Sequence, residues 1–232
     1  MKTVVLNYDD LLKKAAEQVS GLLREKPDAA IALGAGEDTA PLLGELSRRC
    51  AAGELSFERA RLFAVAELAD VPEEKSLRRA LETGFISKTD IKPENCAFPT
   101  RGNAADYDAM IAAAGGLDLA LLDLGANASI GYNEPATAYD TLTHVQKLTA
   151  STRAGLAGSF GGAENTPEYA LTMGVKTIVS AREIIVIALG EGKAEAAFNM
   201  LYARDDSIVP AAFLQLPPEV TVYLDGAAAT KL

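Results

Sequence analysis

The sequence predicts an α/β protein, a three-layer α/β/α sandwich with a mostly parallel central sheet. Two observations carry that prediction. Short continuous apolar runs at residues 29–33, 117–124 and 184–189 have the character of strands buried on both faces. Stretches with apolar residues at helical spacing lie between strand runs, and strands separated by helices imply parallel pairing with helices on both faces. No Pro/Ser-rich linker, low-complexity segment or fixed-period repeat interrupts the chain, so one domain over residues 1–232 is the simplest account.

The elements follow in order. Over residues 8–26, Leu11, Leu12, Ala15, Val19, Leu22 and Leu23 form a helical stripe, which Pro27-Asp28 breaks. Residues 29–33 are the first buried strand. Gly34-Ala35-Gly36 follows, and Asp38 is placed to cap a helix running towards Ala51. Residues 61–66 read as a second strand, and residues 73–86 and 103–114 as helices. Residues 117–124 (Leu-Asp-Leu-Ala-Leu-Leu-Asp-Leu) are the clearest strand. Thr177-Ile178-Val179 and residues 184–189 read as two more, split by Ser180-Ala181-Arg182-Glu183. A helix covers residues 193–202, and residues 220–224 are the last strand.

The 232 residues include 32 acidic and 22 basic side chains, a formal net charge of -10. So acidic a surface repels nucleic acid and anionic membrane, and neither is an expected partner. No apolar run approaches the roughly 20 residues of a spanning helix. The N-terminal residues lack the apolar core of a signal peptide, so the cytoplasm is the expected location. Cys50 and Cys96 are too few for a disulfide scaffold or zinc motif and are expected as buried free thiols.

Parallel sheets of this kind bind ligands beyond the carboxyl ends of their strands. That rule selects the loops after Leu33, Ala66, Leu124 and Leu189. The third is the most informative: Leu124-Gly125-Ala126-Asn127-Ala128-Ser129-Ile130-Gly131-Tyr132-Asn133-Glu134-Pro135. It resembles the catalytic loop of glucosamine-6-phosphate deaminases, whose usual form is G-x-N/E-D-G-H-I-A-F-N-E-P. Further blocks look like the same deaminase/isomerase family, related to the 6-phosphogluconolactonases. They include Asp90-Ile91-Lys92-Pro93-Glu94-Asn95, Ala170-Leu171-Thr172-Met173-Gly174-Val175 and Gly190-Glu191-Gly192-Lys193-Ala194. The likeness spans nearly the whole chain and implies the same three-layer sandwich.

The resemblance also implies a reaction and a set of roles. The family opens a sugar ring, moves a proton between C2 and C1 and releases ammonia, and the proton steps need positioned acids and bases. The family's proton-transfer base is the aspartate of a motif like F-N-M-D-E-Y. Here Phe63-Ala64-Val65-Ala66-Glu67-Leu68 puts Ala66 at that position. The ring-opening histidine corresponds to Ser129, and the aspartate of the same loop to Asn127. Glu134, which partners the histidine in the family, is retained. The phosphate loop T-G-S/G-T-P corresponds to Ala35-Gly36-Glu37-Asp38-Thr39, with two acids beside the expected phosphate. Lys193 matches the phosphate-binding lysine, and a family arginine falls at Gly158. The arginine and lysine of the allosteric phosphate site in some members fall on His144 and Gln146.

The candidate catalytic residues are therefore Glu134, Asn127 and Glu67. Gly36, Glu37, Asp38, Ala66, Gly125, Ser129 and Lys193 are candidates to line the substrate site. Several stay open to two readings. Asp38 is an ordinary N-cap, or Glu37 or Asp38 occupies the old phosphate position and pairs with Lys193. Glu67 is structural, or a base if it points into the pocket. Glu134 holds its loop, or touches ligand. His144, the only histidine, reads as a packed or surface residue. The expected function is a family protein of amino sugar phosphate metabolism with lost or altered deaminase activity. The alternative is a non-catalytic regulatory relative that binds a sugar or sugar phosphate. No cofactor and no metal are implied. The expected partner is a small-molecule sugar or sugar phosphate, and a homo-oligomer stays open.

Overall fold

The computed structural model describes residues 1–203 and 208–232. The chain begins with β1 (Lys2–Val5), α1 (Tyr8–Glu25), β2 (Ala30–Leu33) and α2 (Ala40–Ala51). Then come β3 (Arg61–Ala64), β4 (Ala66–Leu68), α3 (Leu77–Gly84), β5 (Cys96–Ala97) and α4 (Ala104–Ala113). The second half holds β6 (Leu119–Asp123), β7 (His144–Lys147), α5 (Ala150–Phe160), β8 (Tyr169–Thr172) and α6 (Val175–Val179). It ends with β9 (Glu183–Ala188), α7 (Ala194–Tyr202) and β10 (Val220–Leu224). Single 3-10 turns flank α3 and precede α7.

Seven strands form one sheet in the order β1-β10-β9-β6-β2-β3-β5, and every pair in it is parallel. β6 shows why the sheet is covered on both sides. Leu119 and Leu121 join Ile31, Leu33 and Ile185 beneath α1 and α2, whereas Ala120 and Leu122 face Tyr107, Ile178 and Met200 on the other side. The side-chain alternation of a strand thus splits one apolar run between two cores. Among the described residues, no helix is long and apolar enough to cross a membrane.

A second, three-stranded antiparallel sheet, β4-β8-β7, branches off above the carboxyl ends of the first. The chain enters it at Val65, whose N–H still bonds Leu33 O (3.0 Å) while its carbonyl accepts from Met173 N (2.8 Å). Residues 61–66 are therefore two strands in two sheets rather than one. The expected strand at Thr177-Ile178-Val179 is instead part of α6. Its β-branched residues favour strand locally, but Val175, Ile178 and Val179 bury together at helical spacing. Only residues 77–84 of the helix expected at 73–86 are α-helical. Both cysteines are free but half-buried rather than buried. Burial pushes the Cys96 thiol up to about 11, where it is unreactive.

Candidate active site

Loop 34–39, at the carboxyl end of β2, leads into α2. Pro41 in the first turn needs no N–H partner, which favours a helix start there. Asp38 does not cap it. Thr39 is the N-cap residue and its side chain makes no capping bond. The orphan donors are met from a distance by Asp123, at the end of β6. Asp123 Oδ2 accepts from Gly36 N (3.0 Å) and from Thr39 Oγ1 (2.9 Å), and Oδ1 accepts from Thr39 N (2.8 Å). The loop closes tightly around this carboxylate. A Cβ added at Gly34 would come within 2.6 Å of Asp123 Oδ2, and one at Gly36 within 2.5 Å of its Cγ.

Asp38 is 5% exposed and turns towards Lys193, with Oδ2 2.9 Å from Nζ. The contact is an ion pair; the ammonium also donates to Leu124 O, and among the described residues Asp38 Oδ2 has no aligned hydrogen-bond partner. Burial pushes the Asp38 carboxyl above the usual carboxylate range against the pull of Lys193, and the nearby Asp123 charge pushes the same way. Lys193 closes the 3-10 turn Glu191–Lys193 at the foot of α7. Glu37, by contrast, is exposed.

The loop after β6 is folded on itself. Gly125 N bonds Ser129 O (2.9 Å), Ala128 N bonds Gly125 O (2.8 Å), and Ala128 takes a left-handed φ of 58°. The buried Asn133 side chain donates to Ile130 O and Met173 O, both at 2.8 Å, which ties the loop to the small sheet. Gly125 has to be glycine, because a Cβ there would collide with Ser129 Oγ and come within 2.9 Å of Asn127 Oδ1. Asn127 Nδ2 donates to Glu134 Oε2 (2.8 Å). Glu134, 2% exposed, also accepts from Thr149 N (3.0 Å) at the start of α5. Its carboxylate therefore joins the loop to a helix that buries none of its own side chains. Ala66 and Ser129 are both buried. Burial raises the Tyr132 phenol above its usual range, and the Asp123, Glu67 and Glu134 charges add to the effect.

The structure thus links Gly36, Asp38, Lys193, Gly125, Ser129, Asn127 and Glu134 in one run of contacts. Glu67 stands apart. Its carboxylate accepts from Leu68 N and Leu77 N through Oε1 and from Arg78 N through Oε2, all at 2.8 Å, and so anchors the start of α3. Gly158 is exposed on α5. His144 is half-buried on β7 and bonds Leu142 O and Gln146. Among the described residues, no group of three or more His, Cys, Asp and Glu side chains is arranged to hold a metal ion. Sequence reasoning missed Asp123, although an acid at the ligand-facing end of a buried apolar strand is itself a signal. It also missed Thr149, which had no local mark.

Residues 7–223 match the family described as glucosamine-6-phosphate isomerases/6-phosphogluconolactonase. The glucosamine-6-phosphate deaminase of Pseudarthrobacter chlorophenolicus is 38% identical over 242 residues, covering 100% of this chain and 93% of the relative. That of Mycolicibacterium smegmatis is 36% identical, covering 94% of this chain and 87% of the relative. Among solved structures, a monomeric glucosamine-6-phosphate deaminase superposes with a TM-score of 0.96 at 30% identity over 100% of both chains. The 6-phosphogluconolactonase from Trypanosoma cruzi, at TM-score 0.80 and 18% identity over 100% of this chain and 96% of its own, shares the fold.

Proposed function

The chain belongs to the glucosamine-6-phosphate isomerase/6-phosphogluconolactonase family, and from that membership we propose a protein of amino sugar metabolism that has lost, or rebuilt, the deaminase step. It binds a small carbohydrate in the family cleft and does not turn over glucosamine 6-phosphate at an enzyme's ordinary rate. One observation carries the reading. Where the family resemblance calls for a proton-transfer base and a ring-opening histidine, this chain has the buried Ala66 methyl and the Ser129 hydroxyl. A methyl accepts no proton, and an unassisted serine is far too weak an acid or base at neutral pH. Glu134 gives no ready replacement, because both its oxygens already accept hydrogen bonds from Asn127 and Thr149.

One general acid or base contributes about 10²–10⁴ in rate. Even if the two effects overlap fully, their loss lowers a typical turnover of about 10 s⁻¹ to about 10⁻¹ s⁻¹ or less. A second reading, an enzyme with rearranged catalytic residues, draws support from the likeness to named deaminases along the whole chain. In that reading Glu134 and Asn127 carry the chemistry. The test is an ammonia-release assay with glucosamine 6-phosphate, with fructose 6-phosphate measured in parallel. We expect no release above background at micromolar protein. Turnover near 10 s⁻¹ would overturn the proposal, and slow turnover abolished by Glu134→Gln would select the second reading.

A further inference from the structure

We propose that Asp123 is a built-in substitute for an anionic ligand, so that this cleft takes a carbohydrate without a phosphate group. The inference rests on the reading above that the family cleft is the ligand site. Carboxylates often settle at helix N-termini for stability alone, and Glu67 does so at α3. Three further observations separate Asp123 from such a cap. It projects from the carboxyl end of a central strand, the edge of the sheet where ligands bind. It fills a cradle in which Gly34 and Gly36 leave no room for a Cβ, and it takes two backbone N–H groups and the Thr39 hydroxyl on its two oxygens. Among the described residues, the nearby ammonium of Lys193 already faces another buried carboxylate, Asp38, whose Oδ2 lacks an aligned hydrogen bond.

Donors and cation suited to a phosphate are thus engaged by internal anions. Among the described residues, the neighbouring Asp38 and Asp123 carboxylates outnumber the Lys193 ammonium that pairs with Asp38, and an approaching phosphate dianion meets net negative charge and occupied N–H groups. A neutral or amino sugar meets no such penalty, since its hydroxyl or ammonium groups can donate to Asp38 and Asp123.

Isothermal titration of the full chain with inorganic phosphate, glucosamine and glucosamine 6-phosphate tests this, on the wild type, Asp123→Gly and Asp123→Asn. The wild type should bind glucosamine at least tenfold more tightly than glucosamine 6-phosphate and show no saturable phosphate binding below 10 mM, about the weakest affinity such a titration reads. Asp123→Gly should gain phosphate binding at least tenfold and reverse the sugar preference. Asp123→Asn, which keeps the side-chain volume, should gain less. Sub-millimolar phosphate binding by the wild type overturns the proposal without any variant. Wild-type protein that binds neither sugar, or prefers the phosphorylated one, also overturns it, as do folded variants that still ignore phosphate. No arm reads turnover, so this inference can fail while the ammonia assay upholds the proposed function, and the reverse.

Discussion

β6 has a carboxylate at each end, and the two ends differ in how that charge is matched. At the amino end, Asp118 is 2% exposed and meets Lys26 Nζ at 2.8 Å, Arg182, and Ala30 N at 2.8 Å. Burial alone would raise its carboxyl, but these partners outweigh burial and hold it below the usual range. At the carboxyl end, among the described residues, Asp123 has only uncharged donors, and the neighbouring Asp38 pairs with Lys193 alone. There the balance reverses and burial raises Asp38. One end is an ion cluster that ties helices to the sheet. The other is a surplus of negative charge, among the described residues, at the sheet edge where folds of this kind bind ligands. Strain of this kind is typical of sites rather than of scaffolding.

Removing Lys193, the cation paired with Asp38 at the strained end, should have the largest effect. Lys193→Met leaves Asp38 buried and unpaired, which costs about 3–5 kcal/mol for a broken buried pair. We expect the lower part of that range at pH 7, because Lys193 is partly exposed, and a fall in melting temperature of about 6–12 °C. Adding Asp38→Asn to that variant should restore most of the loss. Urea unfolding of the two variants checks both statements. An unchanged Lys193→Met midpoint would mean that Asp38 is already neutral and that the two ends are alike.

Asp118→Asn should cost less, about 2 kcal/mol, the value of hydrogen bonds to a charged group. Lys26 and Arg182 are partly exposed and return to water with little penalty. If this variant proved worse than Lys193→Met in the same urea experiment, the scaffold end would be the more finely balanced of the two.

The same contrast explains what could be read in advance. Buried central strands announce themselves, because both faces are apolar over a continuous run, as in residues 117–124. β1, β5 and β7 lie at sheet edges, with two to four residues each, all exposed or half-buried except Val4, so their sequences carry no comparable run. α5 buries none of its side chains and leaves no apolar stripe to find. At the proposed site, the resemblance named the loops and gave Ala66, Asn127 and Ser129 as exchanged positions. It could not locate Asp123's partners, which lie 84 and 87 residues away in sequence and meet it only when β2 and β6 pair. Nor could it show that Glu67 anchors α3, because its three donors belong to the following helix and its own strand.

The pH dependence of stability should separate the two ends without any loss of contacts. For Asp38 the folded value lies above the unfolded 3.8, so between them the native state binds more protons. Stability should therefore rise as pH falls through the folded value towards 3.8, by at most about 1.4 kcal/mol per pH unit. Asp118 works in the opposite direction. Its contribution is fully present above 3.8 and is lost as pH falls further through its lowered folded value. Asp38→Asn should flatten the upper window and Asp118→Asn the lower one in urea titrations from pH 7 to pH 3. A single shared window would remove the distinction.

The smallest effect should come from Glu67, a carboxylate that, like Asp123, accepts from three donors but lies outside the run of contacts at the proposed site. Glu67→Gln keeps the side chain's shape and turns one acceptor oxygen into an amide facing a backbone donor. Loss of such a helix-start contact costs about 1 kcal/mol. The loss should concentrate where Glu67 acts, as faster hydrogen exchange at the Leu77 and Arg78 amides. Sugar affinity should stay unchanged. If Glu67→Gln instead altered sugar binding while those amides kept their protection, Glu67 would belong to the ligand site. Three-donor carboxylates at helix starts would then mark function on both loops, and the separation between scaffold and cleft would have to be redrawn around α3.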